Sequence, residues 1–198
     1  MAEAVARLRD ASTPPSEFRR LVRIVGSVLA VEALRELPQV DGSVQTPLEV
    51  AATRRLVTAP VIVPILRAGL PMCDGVLDVV PEATVGHLGI RRDEETARPV
   101  GYYMRLPPLT PQTVAVIVDP MLATGGSAAN AATQLKDAGC HNLRMICLVA
   151  APEGVSRLRR AHPDLSIWAG ALDRELDERH YIRPGLGDAG DRSYGTFA

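Results

Sequence analysis

The chain has 198 residues, 46% of them hydrophobic, enough to bury a substantial core and a better fit to one domain, 1–198, than to two. A formal net charge of −1 excludes a protein dominated by nonspecific nucleic-acid binding, which depends on a large positive field, so no nucleic-acid partner is expected. Cys73, Cys140 and Cys147 are too scattered for a disulfide framework or a zinc site, and no apolar stretch has the length of a membrane span; the chain reads as cytoplasmic, with reduced cysteines and no membrane partner.

Thr13-Pro-Pro-Ser16 reads as a helix entrance, and Phe18, Leu21, Val22, Val25 and Leu29 recur behind it at helical spacing, predicting a helix with one buried face. Four short apolar runs rich in β-branched residues, at 61–66, 114–118, 145–150 and 166–171, predict buried parallel strands. Helical segments at 70–80, 127–138 and 153–161 follow three of them, so the class is α/β, with a mainly parallel central sheet flanked by helices. The polar stretch 91–108, with Pro99 and Gly101, predicts a projecting hairpin arm centred on 94–99.

The strongest chemical signal is Asp119-Pro-Met-Leu-Ala-Thr-Gly-Gly-Ser127, placed between the 114–118 strand and an alanine-rich helix. Ligands of open α/β sheets collect beyond the strand carboxyl ends, where a helix amino terminus offers unpaired N–H groups and a favourable dipole. Gly125 and Gly126 let the backbone approach phosphate oxygens, Thr124 and Ser127 add hydroxyls, and Ser127 is placed to cap the helix. Asp119 repels phosphate but accepts hydrogen bonds from ribose hydroxyls. A lone Gly-Gly pair would be an ordinary turn; the nine-residue pattern points to a phosphomonoester. A Walker loop is excluded, because the GK[ST] ending is absent.

Two further loops carry weaker signals. Pro64-Ile-Leu-Arg-Ala-Gly-Leu-Pro71 also joins a strand to a helix, and its Arg67 serves either a diphosphate or only solvent; the loop alone leaves both open. Gly185, Gly187 and Gly190 formally match GxGxxG, but no acid follows about 20 residues on, so a dinucleotide site is rejected. Gly187, Asp188 and Ala189, bordered by Ile182, suit a flat base read through backbone groups; loop capping is the plainer account of Asp188 and Asp191. The four histidines show no triad spacing.

Taken together, VPILRAG, RRDEET, DPMLATGGS, VAAPEG, AHPD and YIRPGLGDAGDR resemble the uracil phosphoribosyltransferases, over nearly the whole chain after Phe18. The resemblance implies a type I phosphoribosyltransferase-like fold, with the arm at about 91–108 and a small base-binding hood at about 181–192. It implies transfer of phosphoribose from 5-phosphoribosyl 1-diphosphate to uracil, giving UMP. Asp119, Pro120, Met121, Leu122, Ala123, Thr124, Gly125, Gly126 and Ser127 would hold the ribose phosphate. Arg67 and Arg92 would hold the diphosphate, and Ile182, Gly187, Asp188 and Ala189 the uracil. Asp119, Asp188, Arg67 and Arg92 are the implied catalytic residues, with Asp188 also near the donor or its metal. Mg²⁺ is implied as the donor's companion, held by substrate oxygens rather than by a protein metal site. A GTP effector and a homodimer or larger homo-oligomer are further expectations, and Tyr102 and Tyr103 would close the site, meet another subunit or pack locally.

The chain departs from the family pattern where Pro71 replaces a usual glycine, Arg183 a usual aliphatic residue and Gly101 a usual acid, and where an amino-terminal His-Pro element is missing. A noncatalytic nucleotide sensor or RNA-binding regulator on the same fold is the alternative from another class. A related enzyme for a different base is the third reading, which the phosphate loop alone does not separate from the first.

Overall fold

Apolar β-branched residues in unbroken runs fit only strands covered on both faces, and the structure builds its centre from three of them. In the computed structural model, which describes residues 1–92 and 99–196, α1 (Ala2–Arg9) and α2 (Pro15–Leu34) lead into a hairpin of β1 (Gln39–Gln45) and β2 (Val50–Leu56). Then come β3 (Val61–Leu66), α3 (Leu70–Val79), β4 (Thr84–Val85), β5 (His87–Arg92), β6 (Pro99–Arg105) and β7 (Val114–Val118). The chain continues through β8 (Met121–Leu122), α4 (Gly126–Asp137), β9 (Asn142–Ala150), α5 (Pro152–Ala161) and β10 (Ser166–Leu172). It ends with β11 (Glu175–Leu176), β12 (Ile182–Arg183) and α6 (Ala189–Tyr194).

The main sheet runs β10-β9-β7-β3-β5-β6, parallel except for the β5–β6 pair. Alternation along the central strands sends side chains to two cores. Val116 and Val118 of β7 join Ile146 and Leu148 of β9 on the face covered by α2 and α3. Ala115 and Ile117 join Met145 and Cys147 on the face covered by α4 and α5. The three cysteines are buried and free, and burial pushes the thiols of Cys73, Cys140 and Cys147 up, so they act as packing residues.

The predicted strands and helices lie where the sequence puts them, with ends shifted by a residue or so except at β9, which starts three residues earlier, at Asn142. The 91–108 expectation falls partly outside the described residues. Its flanks are β5 and β6, which form an antiparallel pair joined to the sheet through β3. The β1–β2 hairpin, mostly exposed and separate from the main sheet, was not expected. Among the described residues no helix is long and apolar enough to cross a membrane.

Helices α2 and α3 meet backbone to backbone. A Cβ on Gly75 would stand 2.0 Å from the carbonyl oxygen of Arg23, in the neighbouring helix. On an open helix face, Gly→Ala gains roughly 1 kcal/mol of helix propensity. Here Gly75→Ala is expected to lower stability by about 1–3 kcal/mol, because the helices must separate. Urea denaturation checks the sign, and a stabilised variant would show that the interface yields without cost.

Candidate active site

The carboxyl ends of β3 and β7 and the loop before α6 converge on one side of the sheet. The 119–127 loop leaves β7 and is pinned to β9 at once: the Pro120 carbonyl accepts from the N–H groups of Leu148 and Val149, at 3.0 and 3.1 Å. The short strand β8 within the loop pairs with Val149 and Ala150 of β9, and the Leu122 carbonyl accepts from the Ala151 N–H at 2.9 Å. Gly125, at φ 73°, turns the chain into α4. Opposite it lies Gly154 in the first turn of α5, where a Cβ would come 2.2 Å from the Ala123 carbonyl oxygen. A Cβ on Gly125 would in turn stand 2.6 Å from the Gly154 carbonyl oxygen. The loop therefore keeps its backbone facing the α4 amino terminus, where first-turn N–H groups lack helical partners.

Ser127 does not cap α4, contrary to expectation. The N-cap is Gly125, no side chain caps the helix, and Ser127 lies inside the first turn. Gly125 needs the left-handed conformation that ends the loop, so the helix starts one residue earlier than the hydroxyl pattern suggests. Thr124 Oγ1 accepts a long hydrogen bond, 3.4 Å, from the Gly126 N–H.

Asp119 sits at the mouth of β7, its Oδ1 accepting from the Met121 N–H at 3.4 Å. Burial pushes its carboxyl up to about 7, the Met121 hydrogen bond opposes this, and the negative charge of Asp188 adds to it. Asp188 is exposed and is the N-cap of α6, its Oδ1 accepting from the Asp191 N–H at 2.9 Å. Arg67, from the loop after β3, reaches the same place. Its guanidinium is 3.9 Å from Asp191 Oδ1 and 5.9 Å from the centre of the Tyr194 ring. Its side chain remains 57% exposed, so it is free to turn toward an anion.

Of the expected base-binding residues, Gly187 and Asp188 line a cleft of about 490 Å³, with Tyr181 and Arg9 on its walls. Ala189 is buried at the start of α6. The Ile182 side chain is buried in the core beside Leu186, so toward a ligand it offers backbone rather than a side-chain edge. Arg92 pairs through its backbone with Pro99, and its side chain lies outside the described residues. Pro71 is buried in the first turn of α3, a position proline suits, and Arg183 is held on the surface by Asp177.

Several contacts of the site are not legible in the sequence. Arg192, the last residue of YIRPGLGDAGDR, is buried and donates to the carbonyls of Leu8, Leu186 and Asp10, with its guanidinium 4.4 Å from the centre of the Phe18 ring. Arg9 forms a two-pronged ion pair with Asp173. Gly154 lies within VAAPEG, but its contact with the 119–127 loop shows only in three dimensions.

A mainly parallel central sheet flanked by helices, with a separate antiparallel hairpin, is the fold of the type I phosphoribosyltransferases. An adenine phosphoribosyltransferase from Thermoanaerobacter pseudethanolicus shares this fold with a TM-score of 0.55 at 13% identity, covering 81% of this chain and 85% of that one. The match to the AQ2163 protein from Aquifex aeolicus is far tighter, with a TM-score of 0.93 at 38% identity over 98% of this chain and 94% of that one. The family model for uracil phosphoribosyltransferase matches residues 1–196. The uracil phosphoribosyltransferase of Salinibacter ruber is 50% identical over 189 residues, 96% of this chain and 90% of that protein. This chain belongs to the uracil phosphoribosyltransferase family.

The raised Asp119 carboxyl makes stability depend on pH. Between the ordinary carboxylate range and about 7, the folded protein holds a proton that the unfolded chain has released, so stability falls as pH rises through that window and levels off above it. Asp119→Asn removes that decline. In urea titrations at a series of pH values, the variant's advantage over the parent should grow from about pH 4 to about pH 7 and then stay constant. An advantage independent of pH would place the Asp119 titration in the ordinary range.

Proposed function

We propose that the protein transfers the 5-phosphoribosyl group of 5-phosphoribosyl 1-diphosphate to N1 of uracil, giving UMP and diphosphate. The observation that carries this reading is the DPMLATGGS loop, facing the α4 amino terminus and opposed by the GLGDAGD loop, in a chain of this family. The loop N–H groups from 123 to 127 would take the 5′-phosphate, and Asp119 the ribose hydroxyls. Gly187, Asp188 and Ala189 would take the base. Uracil presents a donor at N3 and an acceptor at O4; cytosine reverses both, leaving buried groups mispaired.

In the reaction the C1–oxygen bond to diphosphate breaks, its electron pair leaving with the diphosphate, while uracil N1 bonds to C1 from the opposite face and loses its proton. Arg67, and Arg92 with it, would bear on the departing charge, so positioning and electrostatics supply the acceleration. Asp188 Oδ1 caps α6, and Oδ2 has no partner among the described residues, which supports Asp188 as acceptor of the N1 proton. A Mg²⁺ ion would be coordinated mainly by the donor's own oxygens, with Asp188 or Asp119 beside it. Bound there, Mg²⁺ would supply charge neutralisation to the leaving group.

Three buried thiols suit a reducing compartment and support a cytoplasmic location. Exposed Tyr102, Tyr103 and Met104 on β6 support association of copies of the chain. A GTP effector is part of the same proposal and is tested alongside it.

The test is UMP formation from uracil and 5-phosphoribosyl 1-diphosphate with Mg²⁺, with and without GTP, set against cytosine, hypoxanthine and orotate. Uracil-selective turnover is expected. Donor binding without turnover on any base would favour a nucleotide sensor. Arg67→Ala should lower kcat by about 10²–10³-fold, the cost typical of a lost preorganised donor to developing charge. Unchanged steady-state kinetics would remove Arg67 from the diphosphate site.

A further inference from the structure

Arg9 ends α1, and Asp173 follows β10; the two are 164 residues apart in sequence. Their contact is two-pronged, with Arg9 Nη1 donating to Asp173 Oδ2 at 2.8 Å and Nη2 to Oδ1 at 2.6 Å. The Asp173 side chain is only 4% exposed. Isolated, such a pair would be a doubtful source of stability, because desolvation opposes its attraction. What distinguishes it is a third residue. Arg9 Nη1 also donates to the Gly185 carbonyl at 2.8 Å, and Asp173 Oδ2 also accepts from the Gly185 N–H at 3.0 Å. Both backbone polar groups of Gly185 are thus fixed by one ion pair.

The position also excludes any residue with a side chain. Its φ is 62°, and a Cβ would stand 2.0 Å from the Ile182 carbonyl oxygen. Two residues on is Gly187 and three on is Asp188, both on the wall of the cleft that Arg9 and Gly185 also line. At its other end the pair is tied to the sheet, because the Asp173 N–H donates to the Ala150 carbonyl at 2.8 Å. The next residue, Ala151, donates to Leu122 of the phosphate loop. A short path of hydrogen bonds therefore runs from the loop that faces the α4 amino terminus to the one that faces the cleft.

We propose that Arg9 and Asp173 are positioning residues that hold the 184–188 loop in the register needed to read the base. They set selectivity for uracil over cytosine through the backbone of that loop. This rests on the assignment of that loop to the base. The fork geometry of arginine is part of the argument, since a single ammonium cannot span both carboxylate oxygens and the Gly185 carbonyl.

The experiment compares the parent with Arg9→Lys, Arg9→Ala and Asp173→Asn as full-length protein, by steady-state kinetics and by amide hydrogen exchange. Arg9→Ala should raise KM for uracil about tenfold, as expected when buried polar groups lose their partners, while KM for 5-phosphoribosyl 1-diphosphate stays within about twofold. The preference for uracil over cytosine should narrow. Arg9→Lys, with its charge kept and its fork lost, should fall between the parent and Arg9→Ala. Amides of 185–188 should exchange faster in every variant, with those of α4 unchanged. A lower melting temperature with KM for uracil and selectivity unmoved would overturn the proposal, leaving a merely structural pair. Unaltered exchange at 185–188 would also overturn it, and that readout decides even if the parent makes no UMP, a result that would instead sink the assignment of function. If Arg9→Ala fails to fold, Arg9→Lys and Asp173→Asn carry the same comparison.

Discussion

At the centre of the site two stretches of backbone press on each other with no side chain between them. The first turn of α5 at Gly154 meets the loop at Ala123–Gly125 so closely that a Cβ on either glycine would come within 2.6 Å of the other segment's oxygen atoms. This approach is set by the sheet. Parallel pairing of β7 with β9, continued by β8, brings both strand ends to one level, and each strand then turns into its own helix. The α4 amino terminus consequently points into the space above the strand ends, where an anion gains both from the dipole and from unpartnered N–H groups. Everything else in the site is arranged around that fixed point.

The charges there are deliberately unbalanced. Asp119 is desolvated at the end of β7 and feels the charge of Asp188, so the acid is held far above its ordinary range. Arg67 reaches this side, and it is shared between Asp191 and the Tyr194 ring rather than committed to one close partner. A site of this kind is complete only with a substrate that brings its own charges. A diphosphate and its accompanying cation would draw Arg67 outward and offset the repulsion between the two acids. Catalysis would then depend on groups held in advance rather than on a strong nucleophile or a metal cage.

How much of this is legible in the sequence depends on how far apart the interacting residues are. The 114–118 and 61–66 runs suit buried strands, because they are short, apolar and rich in β-branched residues, and the observed strands match them. The 119–127 loop is a contiguous pattern, so its place between β7 and α4 is readable as well. The β1–β2 hairpin is not, since QVDGSVQ and VAATRRL are largely exposed on both faces and no core imposes a clean alternation. The helix start at α4 was misjudged by one residue because a hydroxyl was given the role that left-handed Gly125 fills. Arg9 and Asp173 stand in segments of ordinary composition, and only folding shows that they share a hydrogen-bonding partner in Gly185.

That difference in range separates the two halves of the site by kind. The half proposed for phosphate is built from residues 119–127 and 149–154, on adjacent strands. It needs only a parallel pair, two close glycines and a helix, features that would not depend on which base is transferred. The half proposed for the base is built from the last quarter of the chain and is held from the first ten residues: Arg9 fixes Gly185, and Arg192 donates to Leu8 and Asp10. Closing contacts over such separations costs chain entropy that local contacts do not. The buried guanidinium of Arg192, laid over Phe18 and bound to three carbonyls, is the kind of dense interaction that offsets it. On the proposed assignment, selectivity for the base would therefore depend on the amino-terminal helix being docked, whereas phosphate recognition would not.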